Sequence, residues 1–350
     1  MTGQDIEVAR VLLARLGISA EDLLGPRTGE SRPPTFGEYI PKVRRTVKDG
    51  TLRTYSSYWR RIENAWAERK ITDPSALEIR QLVEDTRRQA ITRRNSRGGR
   101  SAAEHMLGAL RYLYRCAGAD GYLPTTNNPA DGVEKPRRLP NSRRALTDLQ
   151  LKAINHVTTT TGNDTELDTL INRLHLETAC RRGGALALRP DDLDAEQCLV
   201  RLREKGETIR WQPVSPTLMQ NLLTHRERGA GPDDQLLRYR NGRAITGRRY
   251  DYIWTRIGRH LPWVATQQVT AHWLRYTTLT WVERHFGYAV AREFAGHTDT
   301  GGNIGATYTY VRASLYEVAE ALSVLTGEPH PLSHAALPQR GPQPAPLRTE

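Results

Sequence analysis

His272 and Arg275 stand three residues apart in this 350-residue sequence, a spacing at which two side chains could act on one chemical group. On a helix they lie one above the other on the same face, so both heads can reach one anion. A phosphodiester is the anion that we expect, because a guanidinium fork matches its non-bridging oxygens. Further along the chain His297 follows a glycine, and Tyr308 and Tyr310 add two phenolic hydroxyls.

A histidine and an arginine at this spacing are weak evidence by themselves. In a chain with 10 histidines and many more arginines, about one such pair is expected by chance. A second pair, His225 and Arg228, is indeed present. We interpret that pair as a solvent-exposed helix face, because no other candidate residue surrounds it. The inference therefore depends on the order and spacing of the whole set.

Two cationic residues upstream have a defined sequence setting. Arg181 precedes an apolar pattern that we expect to pack in the core behind it. Lys205 lies in a polar turn between two strand-like runs, 198–203 and 208–214, which together predict a β-hairpin. It is also the last lysine of the chain. A desolvated ammonium can donate a proton, whereas a guanidinium keeps its proton near neutral pH.

Taken in chain order, these residues resemble the active-site set of the tyrosine recombinases, also called the phage integrase family. The matching positions are Arg181, Lys205, His272, Arg275, His297 and Tyr308. The resemblance implies a site-specific DNA recombinase that cuts and rejoins DNA through a 3′-phosphotyrosyl intermediate, without ATP, a cofactor or a metal. It also implies double-stranded DNA as the substrate and a homo-tetramer assembled on two paired duplexes.

The resemblance assigns each step of phosphodiester exchange to one position. Tyr308 would attack the scissile phosphate, while Arg181 and Arg275 bind its non-bridging oxygens. Lys205 would protonate the departing 5′-oxygen. His272 would exchange a proton with the tyrosine hydroxyl, whose ordinary pKa of about 10 makes it a poor nucleophile at neutral pH.

The end of the motif block departs from the family pattern in two respects. Position 276 is a tyrosine where the family commonly has histidine. The interval from His297, which the resemblance makes a further phosphate donor, to Tyr308 is longer than usual. Tyr310 is the alternative nucleophile, and the position of Val311 favours Tyr308. Cleavage in cis and cleavage in trans both stay open.

Composition favours a polyanionic partner. The formal net charge is +12 and the isoelectric point is near 9.8, which puts nucleic acid ahead of a membrane surface. No apolar run approaches the roughly 18 residues of a membrane-spanning helix, and the acidic start is unlike a secretion signal. We therefore expect a cytoplasmic, nucleoid-associated protein. The cysteines lack metal-ligand spacing and an even disulfide framework, which predicts reduced, buried thiols at Cys116, Cys180 and Cys198.

Periodicity and turn residues predict a mainly helical chain with a small β-hairpin or sheet, divided into two domains. A short helix within residues 1–33 precedes a helical core-binding domain at 34–134. Residues 135–145 form a basic linker. The mostly helical catalytic domain occupies 146–327, and residues 328–350 form a disordered, proline-rich tail.

Several helices have recognisable first turns or buried faces. Apolar residues three and four apart predict one buried stripe, formed by Leu52, Tyr55, Trp59, Ile62 and Trp66. Capping boxes predict helix starts at 101–104 and 147–150, and Ser215 followed by Pro216 predicts a third start. Separate helices are predicted from Thr270 and around Val290. A final stripe could pack on an adjacent protomer or within its own domain; it comprises Leu315, Val318, Leu322 and Leu325.

Arginines outside the candidate active site are predicted to contact the DNA backbone. They are Arg53, Arg60, Arg93, Arg94, Arg97, Arg100, Arg137, Arg138, Arg143 and Arg144. Accessory DNA-bending or directionality factors are further candidate partners. Two other functions share these features: DNA relaxation by a type IB topoisomerase, and a non-catalytic DNA-binding regulator on the same fold.

Overall fold

A computed structural model describes most of the chain, in two compact units formed by residues 1–140 and 141–350. The described residues are 8, 12, 13, 15, 32–91, 98–124, 128–137, 143–204, 208–296 and 313–333. The boundary between the units falls inside the segment predicted as a linker. The short helix predicted within residues 1–33 lies almost entirely outside the described residues.

The N-terminal unit contains four helices in the described part of the chain. They are α1 (Phe36–Thr46), α2 (Asp49–Trp66), α3 (Ala76–Arg88) and α4 (Arg100–Ala119). The predicted stripe on α2 is confirmed, because Trp59, Ile62 and Trp66 are buried against the apolar face of α4. Leu52 and Tyr55 are partly buried at the edge of the same core.

The helix start predicted from a capping box at Ser101 is wrong. Helix α4 already begins at Arg100, and Gly99 is its N-cap without any side-chain cap. Gly99 has left-handed backbone at φ 73°, and a Cβ there would lie 2.1 Å from the carbonyl oxygen of Arg87. Only glycine fits so close to the end of α3, so backbone geometry rather than a side-chain cap sets the start of α4.

The C-terminal unit is mainly helical, as predicted. Its helices are α5 (Asp148–Thr160), α6 (Thr165–Thr178), α7 (Arg182–Leu186), α8 (Pro216–Arg226), α9 (Gly247–His260), α10 (Pro262–Gln267), α11 (Ala271–Ala295) and α12 (Leu315–Thr326). The box at Thr147 is confirmed, because its hydroxyl accepts from the Gln150 amide at 3.3 Å and the Gln150 side chain accepts in return. The Ser215 cap is also confirmed, because its hydroxyl accepts from the Leu218 amide at 3.1 Å. None of the helices in the described segments is long and apolar enough to cross a membrane.

A three-stranded antiparallel sheet lies beside these helices, in the order β1, β2, β3. The strands are β1 (Leu193–Asp194), β2 (Leu199–Arg203) and β3 (Ile209–Pro213). Arg201 pairs with Trp211 in the middle of the β2–β3 hairpin. The predicted hairpin is confirmed, and the short strand β1 adds an edge that the sequence pattern did not predict.

Helix α11 consists of two helical segments that meet at Gly287. Gly287 has φ 84° and ψ 172°, a conformation that is essentially restricted to glycine. The chain changes direction there. The two separate helices predicted from Thr270 and around Val290 correspond to the two segments.

Helix α12 packs within its own unit. Val318 and Leu322 are buried in a cluster with Val282 and Phe294 of α11. Of the two alternatives for the final apolar stripe, the structure therefore has the intramolecular one.

The prediction that disorder begins at residue 328 is wrong for residues 328–333. The Glu328 carboxylate accepts from Arg173 Nη2 at 2.5 Å and from the Thr217 amide at 3.0 Å. His330 is buried, and its Nε2 lies 3.1 Å from the carbonyl oxygen of Cys198. The polar contacts of two side chains hold this segment, and a prediction from proline content and missing periodicity could not detect them. The remainder of the predicted tail lies outside the described residues.

The interpretation of His225 and Arg228 as a solvent-exposed helix face is also wrong. His225 is buried, and its Nε2 accepts from the Arg238 amide at 3.1 Å. Arg228 donates to both carboxylate oxygens of Asp164, at 2.6 and 3.1 Å. The pair therefore stabilises the fold.

Burial, followed by the nearby charge of Arg228, lowers the pKa of His225 to about 4, below its ordinary value of 6.5. The folded state thus keeps His225 neutral while the unfolded chain takes up a proton below about pH 6.5. The stabilisation is complete above pH 6.5 and is lost as the pH falls towards 4. Urea unfolding at pH 7 and pH 5 should show a loss on the order of 2 kcal/mol from this residue.

The His225→Gln variant should lack that part of the pH dependence while retaining an acceptor for the Arg238 amide. His156 is exposed on α5, so His156→Gln is the matched control and should lose as much stability as the wild type between the two pH values. An equal loss in the wild type and His225→Gln would contradict the assignment.

Candidate active site

Arg181 follows the turn that ends α6. Ala179 has left-handed backbone at φ 48°, and Arg181 is the extended N-cap of α7. Next to this turn His175 Nδ1 lies 3.0 Å from the Cys180 carbonyl oxygen, and His175 Nε2 lies 2.9 Å from the Tyr250 hydroxyl. The chain leading to Arg181 is therefore fixed to α9 inside the core.

Arg275 lies in the first turns of α11 and is only 4% exposed. Its Nη1 donates to the carbonyl oxygen of Ala179, and its Nη2 donates to that of Ala295 at 2.8 Å. Ala179 lies two residues before Arg181, and Ala295 lies at the far end of α11, two residues before His297 in sequence. One buried guanidinium thus links the chain segments of three predicted motifs.

The guanidinium groups of Arg181 and Arg275 lie close enough to perturb each other. Burial, followed by the positive charge of Arg181, lowers the pKa of Arg275 to about 10. Arg275 is still protonated at neutral pH. The structure therefore brings the two predicted phosphate ligands into one electrostatic environment, as a shared anion site requires.

His272 precedes Arg275 by less than one helical turn and has an exposed side chain. Partial desolvation, then the charges of Arg143, Arg275 and Arg181, lower the pKa of its imidazole below the ordinary value of 6.5. The imidazole is consequently neutral at pH 7 and can accept a proton. His272 therefore lies within the electrostatic influence of both arginines.

A buried carboxylate completes the described part of the site. The side chain of Glu204 has no exposed surface, and its Oε2 lies 2.6 Å from Arg181 Nη1 and 4.0 Å from Arg210 Nε. Arg181 and Arg210 thus lie beside this carboxylate, whose charge also acts on the guanidinium of Arg275. The described side chains leave a positive excess in the site, which an anion can neutralise.

Arg210 comes from β3 and packs against the end of α11. Its Nη2 donates to the carbonyl oxygen of Thr178 at 3.3 Å. Gly296 caps α11 with left-handed backbone at φ 63°, and a Cβ at that position would lie 2.4 Å from the Cδ and Nε atoms of Arg210. Both the backbone and the space therefore require glycine immediately before position 297.

Three of the six predicted catalytic residues, Lys205, His297 and Tyr308, lie outside the described residues, as does the alternative nucleophile Tyr310. The described ends next to position 205 are close together, because the Glu204 amide donates to the Thr208 carbonyl at 2.8 Å. Glu204, the last described residue before position 205, is the carboxylate that contacts Arg181.

Of the arginines predicted to contact DNA, those within the described segments have exposed side chains. They are Arg53, Arg60 and Arg100 in the N-terminal unit, Arg137 at its end, and Arg143 and Arg144 at the start of the C-terminal unit. Arg93, Arg94, Arg97 and Arg138 lie outside the described residues.

Sequence reasoning missed Glu204, Arg210 and His175 as parts of the site. Glu204 lies directly before Lys205 in sequence, and this position was a usable signal. Arg210 is one arginine among many and carried no signal. His175 lies six residues before Arg181 in an apolar helix, a position that indicates burial but not its bond to Tyr250.

The cysteines and acidic residues offer no metal centre in the part of the chain that the structure describes. No group of three or more histidine, cysteine, aspartate or glutamate side chains is placed there to hold an ion. Cys180 and Cys198 are buried free thiols, and Cys116 is half-buried.

Residues 144–314 match the family described as the phage integrase family, a range that includes all six predicted catalytic positions. Tyrosine recombinase XerC from Chromobacterium violaceum is 26% identical over 281 residues, which cover 77% of this chain and 86% of the relative. Two solved structures are similar in fold. The Tn1549 transposon integrase in complex with circular intermediate DNA has a TM-score of 0.59 at 18% identity, covering 82% of this chain and 98% of that structure.

The lambda integrase tetramer bound to a Holliday junction also has a TM-score of 0.59, at 16% identity, covering 87% of this chain and 90% of that structure. The C-terminal unit therefore has the fold of a tyrosine recombinase catalytic domain. The family match spans the candidate site, so the C-terminal unit is similar to the phage integrase family in sequence as well as in fold.

Proposed function

We propose that this chain is a site-specific DNA recombinase that cuts and rejoins duplex DNA through a covalent tyrosine intermediate. The observation that carries the proposal is that Arg181 and Arg275 share one electrostatic environment, with Arg181 held by Glu204. Three guanidinium groups near a single carboxylate leave a net positive charge, which suits a phosphate that has two non-bridging oxygens. The similarity to a XerC recombinase supports DNA as the source of that phosphate.

In the proposed reaction, Oη of Tyr308 forms a bond to the scissile phosphorus while the bond to the 5′-oxygen breaks. The neutral imidazole of His272 accepts the tyrosine proton, and the ammonium of Lys205 gives a proton to the departing 5′-oxygen. His297 donates a hydrogen bond to the phosphate. One phosphoester bond is made for each that is broken, so rejoining needs no ATP.

The contacts of Arg275 support its role as a preorganised phosphate donor. Two carbonyl oxygens, those of Ala179 and Ala295, fix the plane of its guanidinium before any anion arrives. A guanidinium has five N–H donors, so further donors remain for phosphate oxygens. Donors that need no reorganisation during the reaction stabilise the transition state most effectively.

Exposed arginines on both units support a phosphate-backbone interface that extends beyond the active site. We propose that the N-terminal helical unit is the core-binding domain, that residues 135–145 link it to the catalytic domain, and that DNA affinity falls steeply with salt. The lambda integrase tetramer on a Holliday junction supports four protomers as the assembly in which this chain exchanges strands. Accessory DNA-bending or directionality factors and action at the nucleoid in the cytoplasm belong to the same proposal.

The experiment that tests the function is covalent trapping. Wild-type protein is incubated with genomic DNA of its source organism, the reaction is stopped with SDS, and DNA attached to protein is sequenced from its 3′ attachment point. We expect one short sequence to be strongly enriched, and a pair of duplexes carrying it to exchange strands without ATP or metal.

The alternatives give different outcomes in the same assay. Adducts at many sequences, with relaxation of supercoiled plasmid and no exchange between duplexes, would assign the chain to DNA relaxation of the type IB kind. Tight DNA binding without any adduct would assign it to a non-catalytic regulator.

A further inference from the structure

Glu204 binds both the backbone and the side chain of Arg181. Its Oε1 accepts from the backbone amide of Arg181 at 2.7 Å, and its Oε2 accepts from Nη1 of the same residue at 2.6 Å. A single carboxylate therefore fixes the start of α7 and the direction of the side chain that leaves it. The Arg181 side chain is still 38% exposed, so part of the guanidinium faces solvent on the side away from Glu204.

The carboxylate reaches Arg181 from a neighbouring chain segment. Glu204 directly follows β2, and its amide donates to the Thr208 carbonyl across the hairpin turn. The same residue therefore adjoins position 205 on one side and binds Arg181 on the other. Displacement of Glu204 would change the position of the arginine relative to the turn.

The glycine at position 184 makes room for this carboxylate. A Cβ on Gly184 would lie 3.1 Å from Cγ and 3.4 Å from Oε1 of Glu204. Gly184 is helical and does not have positive φ, so the backbone does not require glycine there. The space that a side chain at 184 would occupy is the space that Glu204 fills.

Charge explains why a carboxylate belongs in this position. A buried carboxylate is costly unless it is paired, and Glu204 is paired with Arg181 and lies close to Arg210. Without it, the guanidinium groups of Arg181, Arg210 and Arg275 would repel one another in a desolvated site. Arg181, the most exposed of the three, would be the one free to turn away into solvent.

We propose that Glu204 is a positioning residue that aims Arg181 at the scissile phosphate, and that position 184 is glycine because the carboxylate comes from the hairpin. This inference rests on the proposed function, since it supplies the phosphate. Glu204 itself touches neither DNA nor the reacting atoms. Its effect should therefore appear in the rate of cleavage rather than in DNA affinity.

The first test is Glu204→Gln, which keeps the shape of the side chain and removes its charge. Single-turnover cleavage of a trapped site should slow by at least about tenfold, because a small misplacement of a catalytic group has a large effect on rate. The dissociation constant for the same DNA should change by less than about threefold, since the phosphate contacts outside the site are intact. A folded Glu204→Gln variant that cleaves at the wild-type rate would overturn the proposal.

Glu177→Gln is the matched control. Glu177 is also a buried carboxylate of this unit, and it accepts from Arg173 at 2.6 Å and from the Ser215 amide at 2.8 Å without touching Arg181. Loss of its charge should lower the thermal stability in the same manner as Glu204→Gln. The cleavage rate of Glu177→Gln, measured well below the unfolding temperature, should remain that of the wild type. If Glu177→Gln loses as much rate as Glu204→Gln, then Glu204 has only a structural role.

The second test moves the carboxylate from position 204 to position 184, which faces the volume that the Glu204 side chain fills. Glu204→Gly should lose rate as Glu204→Gln does, and the double variant Gly184→Glu/Glu204→Gly should recover at least about tenfold of it, because the new side chain projects into the vacated volume. Gly184→Glu alone should be destabilised by two carboxylates in one place. A folded double variant no faster than Glu204→Gly would contradict the role of Gly184.

Crystal structures of the wild type and Glu204→Gln separate this inference from the proposed function. We expect the Arg181 guanidinium to move by more than about 1 Å in the variant, a displacement that is sufficient to impair catalysis. If the wild type forms no DNA adduct, the proposed function fails, and the displacement of Arg181 alone decides the positioning role. An unmoved Arg181 would reject that role whatever the activity.

Discussion

Replacing Tyr308 by phenylalanine should abolish the covalent attachment of this protein to DNA. The change removes only the phenolic oxygen, so no group remains to form the bond to phosphorus, while the shape of the side chain is kept. The measurement uses a duplex that contains the trapped site and a nick next to the scissile phosphate, so that the cleaved strand diffuses away. The adduct is then counted as the SDS-resistant, slowly migrating species on a gel.

Two further tyrosines give the controls for that result. Tyr310→Phe tests the alternative nucleophile and should form the adduct at the wild-type level. Tyr316 is 45% exposed on α12, so Tyr316→Phe is a matched change outside the site and should also be active. Adduct formation by Tyr308→Phe together with its loss in Tyr310→Phe would transfer the role of nucleophile to Tyr310.

The second large effect is expected from the two arginines. Arg181→Lys and Arg275→Lys should each slow single-turnover cleavage by about a hundredfold to a thousandfold, the usual result of removing one preorganised donor. Lysine keeps the charge but lacks the planar fork that binds two oxygens at once. Quench-flow or manual time courses of adduct formation at saturating protein give the rates directly.

The same two variants should differ in stability. Arg275 satisfies the carbonyl oxygens of Ala179 and Ala295 inside the protein, and a lysine cannot reach both. Arg275→Lys should therefore lose about 1 to 3 kcal/mol of unfolding free energy, whereas the half-exposed Arg181→Lys should lose less. Arg259→Lys, an exposed change on α9, is the control for both measurements. Equal stability of the two site variants would contradict the linking role of Arg275.

Local patterns predicted most of the fold. The stripe ending at Trp66, the caps at Thr147 and Ser215, and the hairpin around position 205 depend on residues that are near one another in sequence, and the structure confirms them. The N-cap of α4 was predicted two residues late, at Ser101, because Gly99 is fixed by contact with α3, which is a tertiary effect.

The sequence predicts residue types for a candidate site, but it does not predict the contacts among the described ones. The convergence of Arg181 and Arg275 follows the motif order, yet the bonds from Arg275 to Ala179 and Ala295 join positions about a hundred and twenty residues apart. No local sequence pattern distinguishes Glu204 from other turn residues, and only its packing against Gly184 and Arg181 reveals a buried carboxylate. Likewise, the partners of His225 come from α6 and from the segment before α9, which no local pattern links to α8.

The docking of α12 on its own unit limits how far the nucleophile can travel. Ala313 is buried at the start of that helix, and Tyr308 precedes it by five residues. A fully extended chain spans roughly 3.4 Å per residue, so the Cα atom of Tyr308 stays within about 17 Å of that of Ala313 while α12 remains in place, and the hydroxyl reaches further only by the length of the side chain. If a phosphate lies beyond the reach of the hydroxyl, for example because a neighbouring protomer holds it, α12 must detach before the tyrosine can attack. A disulfide that locks α12 to α11 would therefore permit cleavage only of phosphates within that reach.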